Sequence, residues 1–385
     1  MIPLAARLAW RQLRHEPSRL AVAVLGVGFA ALLVLMQLGF SASLYDSATN
    51  LLRHLQADLF LIQPKTTVSF RPEPFPRVRV HQTLADPDVM AAYPVSITIT
   101  TWRNPQNGER RPLQLVGLDP DALAGSDAEL AALAPALRAA DTIAFDRLAR
   151  PDFGDVAALL AERGPFEATL GHRSVTVAGL VTIGASFGAD AHALTNEQNF
   201  RRIARDRPAG VVDLGLIRLR PGADRLAVQA RLAAILEADV RVMTHAEVVA
   251  FEKRYWEESS PIGIIFGFGS LMGLVVGLVV VYQILFSDIS AHMSEYATLK
   301  AMGYSNAYLG WVVLAAAGIL AGLGFLPGLA AAWWCHGAVA GATGLPMVVA
   351  PGRALLVLGL VFGMCALAGL LAMRRLRAAD PASLF

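Results

Sequence analysis

The stretch SDISAHMSEYATLKAMGYSN, residues 287–306, is a short polar segment between two long apolar runs. The runs cover residues 261–286 and 307–334, and each is long enough to cross about 30 Å of hydrocarbon as a helix. If both runs cross a bilayer, residues 287–306 connect them on one face of the membrane. A partner on that face would then have to touch the chain at this segment or at its two ends.

The composition predicts a membrane part joined to a soluble domain. The chain has 385 residues, of which 55% are hydrophobic, and its mean hydropathy is +0.48. This is too apolar for an ordinary soluble globule and too polar for a chain that lies in the membrane throughout. The net charge of +2 gives no sign of a nucleic acid partner. Cys335 and Cys365 lie in or beside apolar runs, which argues against a disulfide framework and against a cysteine metal site.

Apolar segments of spanning length predict four transmembrane helices, at residues 20–40, 261–286, 307–334 and 353–373. We expect the first to be a retained span rather than a cleaved signal peptide, because its apolar part is about 20 residues long. Residues 1–19 alternate arginines with leucine and tryptophan. They predict an amphipathic helix on the membrane surface.

Basic residues at the ends of these spans predict the topology. Residues 1–19 contain four arginines, and the tail at residues 374–385 contains three, so both termini are expected in the cytoplasm. The loop at residues 335–352 has no lysine or arginine and is expected outside. Residues 287–306 then lie in the cytoplasm, and residues 41–260 form one large outside domain.

Residues 41–260 have the texture of an α/β domain. A helix at residues 224–237 between strands at 211–220 and 240–244 predicts a βαβ unit. Residues 122–140 predict an alanine-rich helix. Residues 245–258 predict a helix that continues into the second span as a stiff lever, with a plain linker as the alternative. Further short strands are predicted at residues 58–62, 95–102, 113–118, 142–145, 166–170 and 174–181.

Glycines at four-residue spacing occur in three of the predicted spans. Because small residues let helix backbones approach closely, they predict a tightly packed bundle or a dimer. Glycine is common in membrane helices, so the spacing alone is a weak signal. The principal helix-packing candidates are Gly269, Gly273, Gly277, Gly318 and Gly322, and the same spacing recurs at Gly324 and Gly328 and at Gly359 and Gly363.

No motif for catalysis or ATP binding is present. The sequence lacks a GxxxxGK[ST] phosphate loop, HExxH, GxSxG and CxxC. The spans contain no carboxylate or lysine, and their main polar side chains are Gln37 and Gln283, so an ion-coupled carrier is not expected. We therefore expect no enzymatic activity in this chain. Four outer-domain carboxylates are expected to cap helices and solvate loops, namely Asp119, Asp121, Asp152 and Asp155.

Within residues 287–306, the segment SEYATLKAM (294–302) predicts a short helix. Tyr296, Leu299 and Met302 cluster on one face, and Gly303 follows as a C-cap. A helix lying across the inner membrane surface and joined to two spans could pass a push from a cytoplasmic motor into the bundle. Composition alone does not separate this reading from an inert loop.

The motif EYATLKAMGY, residues 295–304, resembles the cytosolic loop of FtsX/MacB-type ABC transporter permeases, whose pattern is E-x-[AG]-x-L-[KR]-A-[ML]-G. The order of one span, a large outer domain and three spans is also similar to that family, as is the ending DPASL at residues 380–384. Within the family, MQLGFSASLYDSA (36–48), LQADLFLIQP (55–64) and WRNPQ (102–106) look like DevC-type permeases. In cyanobacteria that group is linked to export of heterocyst glycolipids.

The resemblance implies an α-helical membrane protein with four transmembrane helices and a large α/β periplasmic domain between spans 1 and 2. It implies a second copy of this permease, a separate ATP-binding cassette subunit in two copies, a periplasmic membrane fusion protein, an outer-membrane channel and contact with membrane lipids. ATP and Mg²⁺ would lie on the partner ATPase, with no cofactor in this chain. The location would be the bacterial inner membrane.

The resemblance also implies an ATPase-coupling site and a type of cargo. Leu299, Met302 and Gly303 would pack into the ATPase, and Glu295 and Lys300 would make polar contacts. Closure of the ATPases would push on this helix and move the outer domains, and the cargo would be lipid-like or amphiphilic. Three alternatives remain: an FtsX-like regulator of a periplasmic hydrolase, a lipoprotein-releasing permease and, more distantly, a membrane-anchored enzyme.

Overall fold

The structure, a computed structural model, describes residues 2–123, 128–186, 188–291, 293, 298–300, 302–343, 345 and 347–378. The chain divides into two compact units. We name residues 1–42, 261–340 and 347–385 the helical unit. Residues 43–260 with 341–346 are the polar domain.

The helices and strands below are numbered in chain order over the described residues. The helices are α1 Ile2–His15, α2 Pro17–Ala48, α3 Asn50–His54, α4 Val78–Gln82, α5 Pro120–Leu123, α6 Ala128–Leu137, α7 Val156–Arg163, α8 Glu197–Ile203, α9 Arg225–Ile235, α10 His245–Arg254, α11 Pro261–Ala291, α12 Asn306–Thr343 and α13 Pro351–Ala378. The strands are β1 Leu59–Ile62, β2 Phe75–Pro76, β3 Val89–Arg103, β4 Arg110–Leu118, β5 Thr142–Asp146, β6 Phe166–Leu170, β7 Arg173–Val181, β8 His192–Thr195, β9 Val211–Val212, β10 Leu214–Leu219 and β11 Arg241–Thr244.

Four helices of the described residues are long and apolar enough to cross a membrane, namely α2, α11, α12 and α13. Small and branched apolar side chains of α2 form part of a common core with the other three, among them Ala23, Val27, Ala30 and Val34. Large apolar side chains remain exposed on α11, including Phe268. Exposed apolar surface of this kind suits contact with lipid.

The apolar helices extend beyond the predicted spans. The helix α2 begins before residue 20 and continues past residue 40, and α12 continues past Trp334 to Thr343. A hydropathy pattern marks only the part of a helix that is apolar enough for hydrocarbon. The helix itself can continue beyond that part, because its backbone hydrogen bonds do not depend on apolar side chains. The stretch CHGAVAGAT after Trp334 contains no proline to end α12.

The polar domain is built on a nine-stranded sheet, with the order β11-β1-β10-β3-β4-β8-β5-β7-β6. The long strand β3 also pairs with β6, through Trp102 opposite Leu170 and Arg103 opposite Thr169. Six strands therefore close on themselves, from β3 through β4, β8, β5 and β7 to β6. Within this closed part lies an aromatic core that includes Trp102, Phe145 and Phe153. The strand β3 thus belongs both to the closed part and to the open part of the sheet.

The predicted strands and the helix at residues 224–237 are confirmed, but the predicted βαβ unit differs in its pairing. The strands β10 and β11 do not pair with each other, because β1 lies between them and is antiparallel to both. A strand distant in sequence can enter between two parallel strands, and the local sequence of the unit does not show it. The predicted helix at residues 122–140 is α5 and α6, and residues 124–127 lie outside the described residues.

The predicted continuous helix from residue 245 into the second span is wrong. The helix α10 ends at Arg254, and a π-helical turn follows at Tyr255–Ser259. Ser260 then has an extended backbone, with φ −90° and ψ 138°. The next residue is Pro261, whose ring disfavours the helical conformation for the residue before it.

Candidate functional site

The segment at residues 287–306 is described in part. The helix α11 extends into it as far as Ala291, and Thr298, Leu299 and Lys300 are helical. Glu295, predicted to make a polar contact with an ATPase, lies outside the described residues. Tyr296, predicted to share a face with Leu299 and Met302, also lies outside them. Of the residues predicted to couple to an ATPase, the structure therefore describes Leu299, Lys300, Met302 and Gly303.

The predicted C-cap at Gly303 is confirmed. Gly303 has φ +92°, a left-handed conformation that glycine adopts without steric cost. Its backbone N–H donates to the carbonyl of Lys300 at 3.1 Å, and the N–H of Tyr304 donates to the carbonyl of Leu299 at 3.1 Å. This pair of bonds is a Schellman motif, which ends a helix and turns the chain sharply.

The side chains of this turn face different surroundings. Leu299 is half-buried and packs against the core of the helical unit, whereas Met302 is 63% exposed. Met302 therefore presents a flexible apolar side chain to the outside of the unit, and Leu299 connects the same turn to the inside. Sequence reasoning had placed both side chains on one face for a partner.

The helix α12 begins directly after this turn. The backbone N–H of Tyr308 donates to the Ser305 hydroxyl at 3.3 Å, which satisfies one of the free donors at the start of a helix. The rings of Tyr304 and Tyr308 lie 4.8 Å apart between centroids, and Tyr308 is buried in the core. The turn is therefore joined to α12 by the backbone, by this hydrogen bond and by a ring contact.

The glycines of α11 lie against α2. A Cβ added to Gly269 would be 2.5 Å from Gln37 Nε2, and one added to Gly273 would be 3.3 Å from Val34 Cγ2. A Cβ added to Gly277 would be 2.5 Å from the Ala30 Cβ. These three glycines follow one face of α11, and their partners run in the opposite direction along α2. The two helices therefore approach closely over this length.

Gly318 and Gly322 of α12 do not make such an approach within the described helical unit. A Cβ on Gly318 would meet Phe362 at an ordinary 3.8 Å, and no described atom lies within 4 Å of one on Gly322. The close approach of α12 to α2 occurs instead at Gly324 and Gly328, where a Cβ on Gly328 would be 2.5 Å from the Gly28 carbonyl oxygen. Sequence spacing alone does not separate the two pairs, because both show the same interval.

A buried carboxylate that sequence reasoning missed lies near the end of α10. Glu252 is fully buried, and it accepts hydrogen bonds from the Ser69 backbone N–H at 2.7 Å and from Trp256 Nε1 at 3.1 Å. Burial raises the pKa of the Glu252 carboxyl, and these hydrogen bonds oppose the shift. The available signal was a glutamate four residues before a tryptophan, the interval at which helical side chains meet.

A second buried carboxylate, Asp146, ends strand β5. It accepts backbone hydrogen bonds from Ile183 and Gly184, and His192 Nδ1 lies 3.1 Å from its Oδ2. Asp146 and His192 are both almost completely buried. The hydrogen bonds of Asp146 connect β5 with β8 and with the chain after β7. This fits a structural role in the closed part of the sheet.

Two of the four outer-domain carboxylates accept backbone hydrogen bonds, and the other two lie in surface ion pairs. Asp155 caps α7 by accepting from the Ala158 backbone N–H, and Asp119 accepts from the backbone N–H of Asp121. Asp121 and Asp152 lie beside arginines at the surface. Over the residues that the structure describes, no group of three or more His, Cys, Asp or Glu side chains could hold a metal ion.

Two family models match the sequence. The model described as the MacB-like periplasmic core domain covers residues 20–235, and the model described as the FtsX-like permease C-terminal covers residues 267–381. The chain belongs to the MacB/FtsX family of ABC-type permeases. The first model includes the first apolar helix from residue 20 and most of the polar domain. The second includes residues 287–306, most of α11 and the whole of α12 and α13.

Two solved structures similar to this chain are a periplasmic region and an extracellular domain of other proteins. The periplasmic region of MacB from Actinobacillus actinomycetemcomitans is 9% identical, with a TM-score of 0.37, and the match covers 52% of this chain and 93% of that one. The extracellular domain of the noncanonic ABC-type transporter YknZ from Gram-positive bacteria is 11% identical, with a TM-score of 0.34, covering 49% and 99%. No curated protein matches the sequence.

Family membership defines the general character of the chain. MacB/FtsX-type permeases work with ATP-binding cassette partners. The family and the four apolar helices make this a membrane protein with a large α/β periplasmic domain. This agrees with the fold class predicted from sequence.

Proposed function

We propose that this chain is the permease subunit of an ATP-driven exporter, similar to the DevC-type members of its family. The observation that carries the proposal is the turn at Leu299–Gly303. It is held by a Schellman motif, exposes Met302 and buries part of Leu299 against the core of the helical unit. A partner that pushes on Met302 would therefore act on a hydrogen-bonded turn that is joined to the core through Leu299.

The proposed work of the chain is mechanical, with no chemistry of its own. ATP and Mg²⁺ would lie on two copies of a separate ATPase, whose closure would displace the turn. Lys300 and Glu295 would make the polar contacts, and Met302 and Gly303 the packing contacts. Leu299 would join the turn to the core of the helical unit. Close packing of α11 and α12 against α2 supports transmission, because closely packed helices move together rather than deform.

The proposed assembly contains a second copy of this permease, a periplasmic membrane fusion protein and an outer-membrane channel. It would lie in the bacterial inner membrane with both termini in the cytoplasm, exporting lipid-like or amphiphilic cargo from the periplasmic side. The motifs at residues 36–48, 55–64 and 102–106, which look like those of DevC-type permeases, support this choice. Arginines at residues 7, 11, 14 and 19 support the orientation.

The test is to purify the tagged full chain from its native membrane in mild detergent and to identify its partners by mass spectrometry. An ATP-binding subunit together with a membrane fusion protein is the expected result. A cell-wall hydrolase in place of the fusion protein would support the regulator, and a lipoprotein chaperone would support the lipoprotein-releasing permease. Absence of any ATP-binding subunit would overturn the coupling site. Met302→Asp is the test variant, because it changes an exposed side chain and should reduce recovery of the ATPase. Gly322→Ala is its control and should recover the ATPase as the wild type does.

A further inference from the structure

A polar cleft of about 750 Å³ lies in the polar domain, between β3, β4, the turn from β6 to β7 and the residues after α8. Its charge is strongly one-sided, since five arginines and one aspartate line it. These residues are Arg103, Arg110, Arg111, Arg205, Arg207 and Asp206. A cleft lined by charges of one sign attracts ligands of the opposite sign.

Two of these arginines are paired on neighbouring strands of the sheet. In the antiparallel pairing of β3 with β4, Arg103 lies directly opposite Arg110. Like charges in directly opposed positions are unfavourable in a sheet. The next residue of β4 is a third arginine, Arg111. The arrangement therefore has a cost in the free chain that a bound anion would relieve.

The protein itself neutralises part of this charge. Arg207 donates to Asp213 at 2.7 Å, and Arg111 lies 3.6 Å from carboxylate oxygens of Glu109 and Asp152. Within the described residues, Arg103, Arg110 and Arg205 have no carboxylate within ion-pair distance. Three guanidinium groups around one cleft are thus left without a protein counter-charge.

Hydroxyl groups complete the lining. Thr98, Thr100, Thr101 and Thr169 border the cleft. Gly171, with φ +61°, forms the turn between β6 and β7 beside it, and a Cβ there would be 3.0 Å from the Thr100 hydroxyl. Guanidinium groups can donate two parallel hydrogen bonds to the oxygens of one phosphate, and threonine hydroxyls can donate further hydrogen bonds.

We propose that this cleft binds a phosphate-bearing ligand, with the phosphate held by Arg103, Arg110 and Arg205. The cleft volume is that of a site for a small molecule or a lipid headgroup, whereas protein partners usually bind flatter surfaces. Arginine in preference to lysine suits planar, bidentate recognition of phosphate. The site is separate from the coupling turn, and its existence does not depend on the identity of the ATPase or of the exported cargo.

The test measures binding to the full chain in detergent by calorimetry, with three probes. Glucose 1-phosphate represents a soluble phosphate ester, dihexanoyl phosphatidic acid represents a phospholipid headgroup, and glucose is the uncharged reference. At least one phosphate probe should bind where glucose does not, with an affinity that falls as salt is added. Arg103→Gln and Arg110→Gln should each weaken binding about tenfold or more.

Arg163→Gln is the matched control, since Arg163 is an exposed arginine of α7 outside the cleft. It should bind the probes as the wild type does. The melting temperature gives a second readout: without ligand, Arg110→Gln should melt at or above the wild-type temperature, because the opposed charge is gone, and it should lose the ligand-induced increase. Binding of phosphatidic acid alone identifies a headgroup site, and binding of glucose 1-phosphate identifies a soluble ester. Failure of both phosphate probes, or unchanged affinity in both cleft variants, overturns the proposal.

Discussion

Trp256 donates its indole N–H to the carboxylate of Glu252 at 3.1 Å, and both residues are buried. The other carboxylate oxygen accepts from the backbone N–H of Ser69. The two bonds tie the segment after β1 to the end of α10 and to the π-helical turn that precedes Pro261. These bonds therefore hold the last residues of the polar domain before Pro261 against the segment after β1.

We predict that Glu252→Ala destabilises the polar domain markedly. The substitution leaves the Ser69 and Trp256 donors without a partner, at a cost of about 1–3 kcal/mol for each group, and it opens a cavity. The melting temperature of the full chain, followed by tryptophan fluorescence, should fall by several degrees. Glu162→Ala is the control, since Glu162 is exposed on α7. Equal melting temperatures for the two variants would contradict a structural role for Glu252.

The same carboxyl predicts a pH dependence of stability. Burial raises the Glu252 pKa above its ordinary value of 4.5, so the folded chain holds this proton more tightly than the unfolded chain. The free energy of unfolding that Glu252 contributes therefore decreases as pH rises from 4.5 through the raised pKa. Glu252→Gln cannot titrate and should lack this decrease.

The measurement for this prediction is the difference in melting temperature between wild type and Glu252→Gln, taken from about pH 4.5 to about pH 7. The difference should shift in favour of the variant as pH rises. Taking the difference removes the contribution of Asp213, whose pKa is also raised by burial. A difference that is flat with pH would show that Glu252 does not titrate abnormally.

The glycines give a prediction about helix packing. Gly277→Ala places a methyl group 2.5 Å from both the Ala30 Cβ and the Met364 sulfur, so α11 must move, at a cost of about 1–3 kcal/mol. Gly322→Ala adds a methyl where no described atom lies within 4 Å and improves helix propensity by about 1 kcal/mol. The melting temperature in detergent should fall for the first variant and not for the second. The opposite order would mean that α11 and α2 do not pack as described.

The spans were predictable from sequence because about 20 consecutive apolar residues have few other stable states. The strands were predictable because short apolar runs between turn residues carry a local signal. The insertion of β1 between β10 and β11 was not, since pairing over such a sequence distance leaves no local pattern. The helix ends before Ser260, and Pro261 is a local sequence signal for that end. The prediction of a continuous helix gave more weight to the apolar residues on both sides of it.

The candidate sites show the same division. Gly303 was predictable as a C-cap because a glycine after a helical run is a local signal. The inward position of Leu299 was not, because it depends on how the whole helical unit packs. The pairing of Arg103 with Arg110 was not predictable either, because it depends on the register of two strands. The net charge of the domain, in which many charges cancel, gives no sign of it.

The last prediction concerns coupling to the ATPase. Gly303→Pro removes the N–H that donates to Lys300 and cannot adopt φ +92°, so it should abolish the Schellman turn. Met302→Asp keeps the turn and places a charge on its exposed apolar contact. Leu299→Asp is less suitable as a test, because it also puts a charge against the core of the helical unit.

Stimulation of ATP hydrolysis in the reconstituted complex is the measurement. It should be lost in Gly303→Pro and reduced about tenfold or more in Met302→Asp, while the melting temperature of Met302→Asp stays at the wild-type value. Gly322→Ala should couple normally, because no described atom lies within 4 Å of a Cβ added at this glycine. Wild-type stimulation in Met302→Asp would place the ATPase contact elsewhere in residues 287–306. Wild-type stimulation in both turn variants would remove this segment from the mechanism, because no path from the motor to the helical unit would then pass through it.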